Sequence, residues 1–313
     1  MKLEIRAALR ADYPSISEIH NATWTNHPVA ASELERVDSK RTEQNFIERF
    51  MLEFEGESVG EASFQLLRDY DFVLELNVLP AFQAIGFGTA FYAFLEAELE
   101  QHQAKSVFCK LYESHPFALQ FFETRGFQEG ARLYHQCLKL AGFSFDTESV
   151  IQNLTANGYS FRSFADLESD PNSEQKLRDL YNQTDADVPR VQDFEPSSVE
   201  EFKTKVLENP RFLKAACFIA IKNDKWVGVS LHRVRPDKTQ LHTGMTGVLR
   251  EHRGQNLALA LKLAAIDYAI QNGFTELHSN NASTNAPMLA VNQKLGFERS
   301  PAQIQLEKKF NQT

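Results

Sequence analysis

Val248-Leu-Arg-Glu-His-Arg-Gly-Gln-Asn-Leu-Ala258 is the stretch that decides how this 313-residue chain is read. It follows the short apolar segment Met245-Thr246-Gly247-Val248 and runs straight into Leu259-Ala-Leu-Lys-Leu-Ala-Ala-Ile266. Strand, tight turn and helix are the natural assignment. Leu257, Leu261, Ala264, Ala265 and Tyr268 share one helical face at the expected spacing. The first N–H groups of a helix have no partner inside it, and with the helix dipole behind them they form an anion site. Gly254, Asn256 and Ala258 are small or flexible enough for a phosphate to approach the main chain.

The layout occurs twice. Val78-Leu-Pro-Ala-Phe-Gln83-Ala-Ile-Gly86-Phe-Gly88 also follows an apolar segment, Phe72–Leu76, and precedes an amphipathic one. An offset of 170 carries Val78 onto Val248, Gln83 onto Arg253, Gly86 onto Asn256 and Gly88 onto Ala258. The same offset carries Gly126-Phe127 onto Gly296-Phe297, while upstream it drifts to 168 at Val59-Gly60 and 161 at Asn21, Thr23 and Pro28. Their counterparts are Val227-Gly228 and Asn182, Thr184 and Pro189. The chain is therefore a tandem repeat of one unit.

These residues carry a family resemblance. Gln83-x-x-Gly86-x-Gly88 resembles the Gln/Arg-x-x-Gly-x-Gly/Ala signature of the GCN5-related N-acetyltransferases (GNAT), and Arg253-x-x-Asn256-x-Ala258 a variant of it. The later family block, Asn through Tyr to Gly-Phe, resembles His115-Pro-Phe-Ala118 through Phe122 to Gly126-Phe127. In the second copy it resembles Asn285-Ala-Pro-Met288 through Asn292 to Gly296-Phe297. The C-terminal copy looks most like the second half of mycothiol synthase-type tandem acetyltransferases. The resemblance implies an α/β fold (α+β, mixed sheet) built as two acyl-CoA N-acyltransferase domains.

It also implies acetyl-CoA as co-substrate. The pyrophosphate would sit on the turn amides, at Gln83, Ala84, Ile85, Gly86, Phe87 and Gly88, and at Arg253, Gly254, Gln255, Asn256, Leu257 and Ala258. Val78 and Val248 stand where a main-chain amide polarises the thioester carbonyl, and Asn285 retains the family's Asn. The family's frequent general acid, a Tyr, is Phe122 in one copy and Asn292 in the other; Phe has no proton to give and an amide donates only a hydrogen bond. A thiol pKa of about 8.5 lets the thiolate leave without strong acid help. Candidate bases are Glu75 and His242, with Thr246 as a hydrogen-bonding helper; the plainer reading of His242 is a surface strand residue. Asp185 and Asp187 either bind a cationic acceptor or are solvated loop acids.

Composition sets limits. The net charge of −9 argues against a nucleic-acid groove. It fits a cationic amine acceptor as well as plain solubility. Cys109, Cys137 and Cys217 lack zinc-like spacing and read as buried, reduced thiols of a cytoplasmic protein, with no metal expected. No apolar run approaches the roughly 20 residues of a membrane span, and Met1–Arg6 reads as a first strand rather than a signal core.

The expected domains are 1–140 and 158–313, joined by a docking segment at 141–157. Within the first, Asp12 and Pro14 open a helix through His20, Asn21–Lys40 is irregular and lines the acceptor pocket, and Thr42–Phe50 is helical. Arg132–Leu140 closes the first domain and Ala302–Lys308 the second. The leading expectation is direct attack of a small-molecule or peptide amine on acetyl-CoA, with the C-terminal domain catalytic in a monomer or homodimer. The alternative is a catalytically silent acyl-CoA-binding regulator. Aminoacyl transfer from tRNA is disfavoured by the acidic balance.

Overall fold

The computed structural model describes residues 2–25, 28–43, 46–188 and 194–310. In chain order the elements are β1 (Leu3–Ala7), α1 (Tyr13–Thr23), α2 (Ala31–Asp38), β2 (Ile47–Phe54), β3 (Glu57–Arg68), β4 (Asp71–Val78), α3 (Phe87–Gln101), β5 (Ser106–Tyr112), α4 (Pro116–Glu123) and β6 (Gln128–Lys139). The second repeat contributes α5 (Thr147–Ala156), β7 (Tyr159–Ser163), α6 (Phe164–Leu167), α7 (Ser173–Asp185), α8 (Val199–Phe202), β8 (Phe218–Lys222), β9 (Lys225–Val234) and β10 (Gln240–Val248). It ends with α9 (Leu257–Gln271), β11 (Glu276–Ala282), α10 (Ala286–Lys294), β12 (Glu298–Arg299) and β13 (Gln303–Lys309).

Two compact units result, and they do not follow the repeat boundaries. One is residues 1–130 with 304–313, the other 131–303. The first unit's strands run β1-β2-β3-β4-β5-β13, antiparallel from β1 to β4 and parallel between β4 and β5. The second runs β6-β11-β10-β9-β8-β7, parallel only between β10 and β11. The closing strands have thus changed places. Arg132–Leu140, expected to close the first domain, pairs Lys139 with Glu276 through Leu133 with Ala282 in the second unit. Ile304 and Leu306 of β13 lie in the first unit's core beside Leu95, Leu99 and Val107.

Three local expectations are corrected. Asn21–Lys40 is not irregular throughout, because Ala31–Asp38 is helical. Thr42–Phe50 is not a helix among its described residues; Ile47 onward is strand, with Phe50, Met51 and Leu52 all buried. The sequence also reads Arg49–Phe54 as one arm of a hairpin with Val59–Leu66; that pairing is present, and the strand simply reaches back to Ile47. Asp12 precedes α1 but does not cap it, since its carboxylate is taken by Arg6 (2.6 and 2.9 Å) and the Leu9 N–H (2.7 Å). Thr184–Pro196, which the sequence reads as a loop after the helix Ser173–Asn182, falls partly on 189–193, outside the described residues, as does Pro189; α7 runs on to Asp185. The linking segment holds α5, capped by Asp146.

In α9 the expected stripe is wider than one face. Leu257, Leu259, Ala260, Leu261, Leu263, Ala265, Ile266 and Ala269 are all buried, while Ala264 and Tyr268 are only half-buried.

Candidate active site

The site begins with a strand that outruns its neighbour. β4 pairs with β5 only from Asp71 to Leu74, against Ser106 to Cys109, leaving Glu75–Val78 without a partner on that side. Successive N–H groups along a strand point to opposite sides. The Leu79 N–H goes back to Val59 O (2.9 Å), so that of Val78 points into the gap. In the second unit β10 pairs with β11 from Gln240 to Thr243, and Leu249 N–H goes to Val227 O (2.9 Å), aiming the Val248 N–H the same way. Each unit therefore presents one main-chain donor beside a splayed strand, the arrangement expected of Val78 and Val248.

The turns that follow are built alike. Gln83 Nε2 and Arg253 Nε each donate to the carbonyl of the strand's last residue, Val78 and Val248, at 2.8 Å. Both turns need two left-handed residues, and each copy places its glycine at a different one. Ala84 (φ 61°) and Gly86 (φ 97°) match Gly254 (φ 76°) and Asn256 (φ 65°). Asn tolerates this region better than other side chains do, so the Gly-to-Asn change costs little. Neither N-cap residue, Gly86 of α3 nor Asn256 of α9, makes a side-chain capping hydrogen bond among the described residues. Their first N–H groups face the exposed turn, as an anion site requires.

The units differ in what surrounds the gap. In the first, a cleft of about 590 Å³ opens between β4 and β5, lined by Trp24, Glu75, Asn77, Val78, Gln83, His115 and Phe122 among others. Glu75 is accessible to solvent, yet it lies on the floor of this concavity with protein on most sides. Its carboxyl pKa is raised above the ordinary value by that desolvation first and by the nearby Glu61 second. Glu61 is buried, and its Oε1 accepts from Asn77 Nδ2 at 2.6 Å with His20 Nδ1 at 3.8 Å. Asn77 Oδ1 in turn accepts from Thr23 Oγ1 (3.0 Å) and Trp24 Nε1 (3.1 Å), tying the end of α1 to the cleft wall.

In the second unit the same rungs are apolar. Glu61 opposite Asn77 becomes Val229 opposite Gly247, and Glu75 opposite Ser63 becomes Met245 opposite Leu231. A β-carbon on Gly247 would collide with the side chain of Thr184, so α7 fills the space that Asn77 takes in the first unit. The turn arginines are also engaged: Asp187 bonds both nitrogens of Arg250 used in the pair and Arg253 Nη2 at 2.5 Å. These two guanidinium groups hold the Asp187 carboxyl well below the usual carboxylate range.

The sequence profile of the acetyltransferase (GNAT) family matches residues 13–127 and 176–297, which is most of the chain. The chain belongs to this family. A curated relative, N-alpha-acetyltransferase 30 of Schizosaccharomyces pombe, is 26% identical over 132 residues, covering 41% of this chain and 82% of that protein. A GCN5-related N-acetyltransferase from Sphaerobacter thermophilus has a similar fold (TM-score 0.69, 19% identity), covering 98% of this chain and 95% of that one. So has a tandem GNAT protein from the clavulanic acid biosynthesis pathway (TM-score 0.65, 18% identity), over 100% of both chains. This protein is accordingly a tandem GNAT N-acetyltransferase with a mixed α/β fold, of a family that uses acetyl-CoA.

Several residues read from the sequence are engaged by other contacts in this acetyltransferase. His242 lies in the paired half of β10, opposite His278, six residues before Val248 or about 20 Å along a strand. Burial and neighbouring cations push its pKa down to about 4. Thr246 Oγ1 shares a hydrogen bond with Ser230 Oγ (2.8 Å). Asn292 is fully buried, and its Nδ2 donates to Gln136 Oε1 (2.8 Å) rather than facing an open cleft. Asn285 caps α10 through Met288 N–H (3.4 Å), and Gln255 accepts from the Tyr159 hydroxyl (3.0 Å). Asp187 serves the turn arginines instead of a cationic acceptor. Cys137 is half-buried, unlike Cys109 and Cys217, and all three thiols are free. Among the described residues no helix is long and apolar enough to cross a membrane.

Glu61, Asn77 and Trp24 were missed. Reading the two repeats against each other would have found the first two, because polar Glu61 and Asn77 face apolar or absent side chains at Val229 and Gly247.

Proposed function

We propose that acetyl transfer takes place in the N-terminal unit, not in the C-terminal one that the sequence favoured, and that Glu75 is the general base. The carrying observation is the Glu75 carboxylate on the floor of the first cleft, with Met245 as its counterpart. The acceptor is a primary amine of a small molecule or peptide that enters as an ammonium ion. Glu75 takes its proton, directly or through a water. The freed amine attacks the thioester carbonyl of acetyl-CoA, and the Val78 N–H donates to the oxygen that becomes negative. The C–S bond then breaks, and the proton left on the new amide nitrogen passes to the departing thiolate. Phe122 supplies none, so no side chain at that position acts as acid.

The pyrophosphate rests on the amides from Ala84 to Gly88. The acidic pair Glu61 and Glu75 favours a cationic acceptor over an anionic one. A second reading applies to the C-terminal unit alone. Its turn and Val248 are intact while its base is gone, which suits a unit that holds acyl-CoA without chemistry; its likeness to mycothiol synthase-type enzymes rests on the same turn and on Asn285. Dependence on acetyl-CoA, with free thiols, suits a cytoplasmic enzyme. Thiol release from acetyl-CoA over a panel of amines tests the assignment: Glu75→Gln should abolish it, and Met245→Leu should not. The reverse result would return catalysis to the second unit.

A further inference from the structure

The second unit carries a cluster that acetyl transfer does not use. Cys137 on β6, with Glu276 and His278 on β11, brings a sulfur, a carboxylate oxygen and an imidazole nitrogen within 4.8 Å of one another. Sheet register produces this grouping. His278 is the direct cross-strand partner of Cys137, and Glu276, two residues earlier, projects from the same face. Cys137 Sγ lies 3.8 Å from His278 Nε2, and Glu276 Oε2 lies 2.9 Å from the same nitrogen. All three residues are half-buried, deep enough to be held by the strands and open enough for an ion to enter.

We propose that Cys137, Glu276 and His278 form a binding site for a zinc-type divalent cation. The donor set selects the metal. Thiolate and imidazole suit zinc and disfavour magnesium or calcium, which take oxygen. Zinc–sulfur and zinc–nitrogen bonds of about 2.3 and 2.0–2.1 Å at tetrahedral angles put the two ligand atoms about 3.5 Å apart. The observed 3.8 Å is within a small side-chain rotation of that. The nitrogen and oxygen move apart to about 3.3 Å as the ion replaces the hydrogen bond between them. On binding, the S–H proton of Cys137 passes to solvent and the proton that His278 Nε2 shares with Glu276 leaves that nitrogen, for Nδ1 or for solvent; the sulfur–, nitrogen– and oxygen–zinc bonds form, and no group changes oxidation state. Three protein ligands leave a fourth position for water. Lys139, across from Glu276, and Glu298, across from Cys137, flank the site with opposite charges. The ion would fasten β6, which belongs to the first repeat by sequence, to β11 of the second.

The test uses the full chain, stripped with chelator and titrated with cobalt(II), then zinc(II). One cobalt should bind per chain, with a thiolate-to-cobalt charge-transfer band and the intense visible bands of a four-coordinate ion, both lost as zinc displaces it. Cys137→Ser should abolish the charge-transfer band, and His278→Gln should weaken binding by about tenfold or more. If Cys137→Ser fails to fold by circular dichroism, the His278→Gln titration decides. A wild-type chain without these bands, a six-coordinate spectrum, or a Cys137→Ser spectrum like wild type would overturn the site, leaving a metal-free hydrogen-bonded trio.

Discussion

The Asn77 amide donates to Glu61 Oε1 across the β3–β4 rung at 2.6 Å, and this bond fixes a buried carboxylate behind the Glu75 side chain. In the proposed reaction Glu61 would therefore act through another residue, Glu75. Its negative charge makes ionisation of Glu75 harder, and that carries a kinetic signature.

Glu61→Gln should lower the Glu75 pKa, because a like charge that disfavoured the carboxylate has gone. The acid limb of the kcat/KM profile, where Glu75 must lose its proton, should move to lower pH. An unmoved limb in a folded variant would remove Glu61 from the mechanism.

Glu75→Gln should cost about 100- to 10,000-fold in kcat, the usual range for a positioned general base, with little change in acetyl-CoA affinity. Stopped-flow thiol release and calorimetry with CoA separate the two quantities. No alkaline fall assignable to Phe122 or Asn292 is expected in the profile.

Gly86 can be tested without backbone strain, since Asn256 shows that Asn fits the equivalent left-handed position. Gly86→Asn should bind CoA nearly as well as wild type. Gly86→Asp adds a negative charge at the pyrophosphate and should weaken binding by about tenfold, the effect of roughly 1.4 kcal/mol. Equal affinities for the two variants would place the pyrophosphate elsewhere.

Asp187 neutralises the turn arginines of the second unit. Its folded pKa is depressed, so its contribution to stability is present above the unfolded value of about 3.9 and fades as pH falls through the lower folded value. Arg250 is largely exposed, so the contribution is small, about 1 kcal/mol or less. Asp187→Asn should leave the melting temperature nearly unchanged while raising CoA affinity in a Gly86→Asp background, read by calorimetry.

Lys262 lies fully buried in α9, and its Nζ, like His232 Nε2 and Thr243 Oγ1, has no hydrogen-bond partner among the described residues. Desolvation brings its pKa down to about 7. Between that value and the unfolded value near 10.4 the unfolded chain binds the extra proton, so stability from this group rises with pH across that window. Lys262→Met should raise the melting temperature at pH 6 by more than at pH 9, measured by calorimetry. A pH-independent effect would show that the lysine is not titrating there.

Much of this was legible in the sequence. The offset of 170 located both turns and the strand ends at Val78 and Val248 that precede them, because turn chemistry is local and repeats with the backbone it builds. The proposed base was harder to place. Glu75 and His242 look alike as strand residues, and only the point where β5 stops pairing at Cys109 shows that Glu75 faces a gap while His242 faces a neighbour. The exchange of β6 and β13 was invisible for a related reason. Strand pairing is a long-range choice, and two repeats of similar pattern offer each closing strand two acceptable sites.

That exchange sets an order on the protein's birth. The first unit's core includes Ile304 and Leu306, which the ribosome delivers only after the whole of residues 131–303. Until then β5 presents a bare edge, open to wrong partners. A nascent first repeat, though it carries the whole proposed catalytic cleft, must wait for β13, made after the second repeat's other strands, before that cleft has its finished sheet.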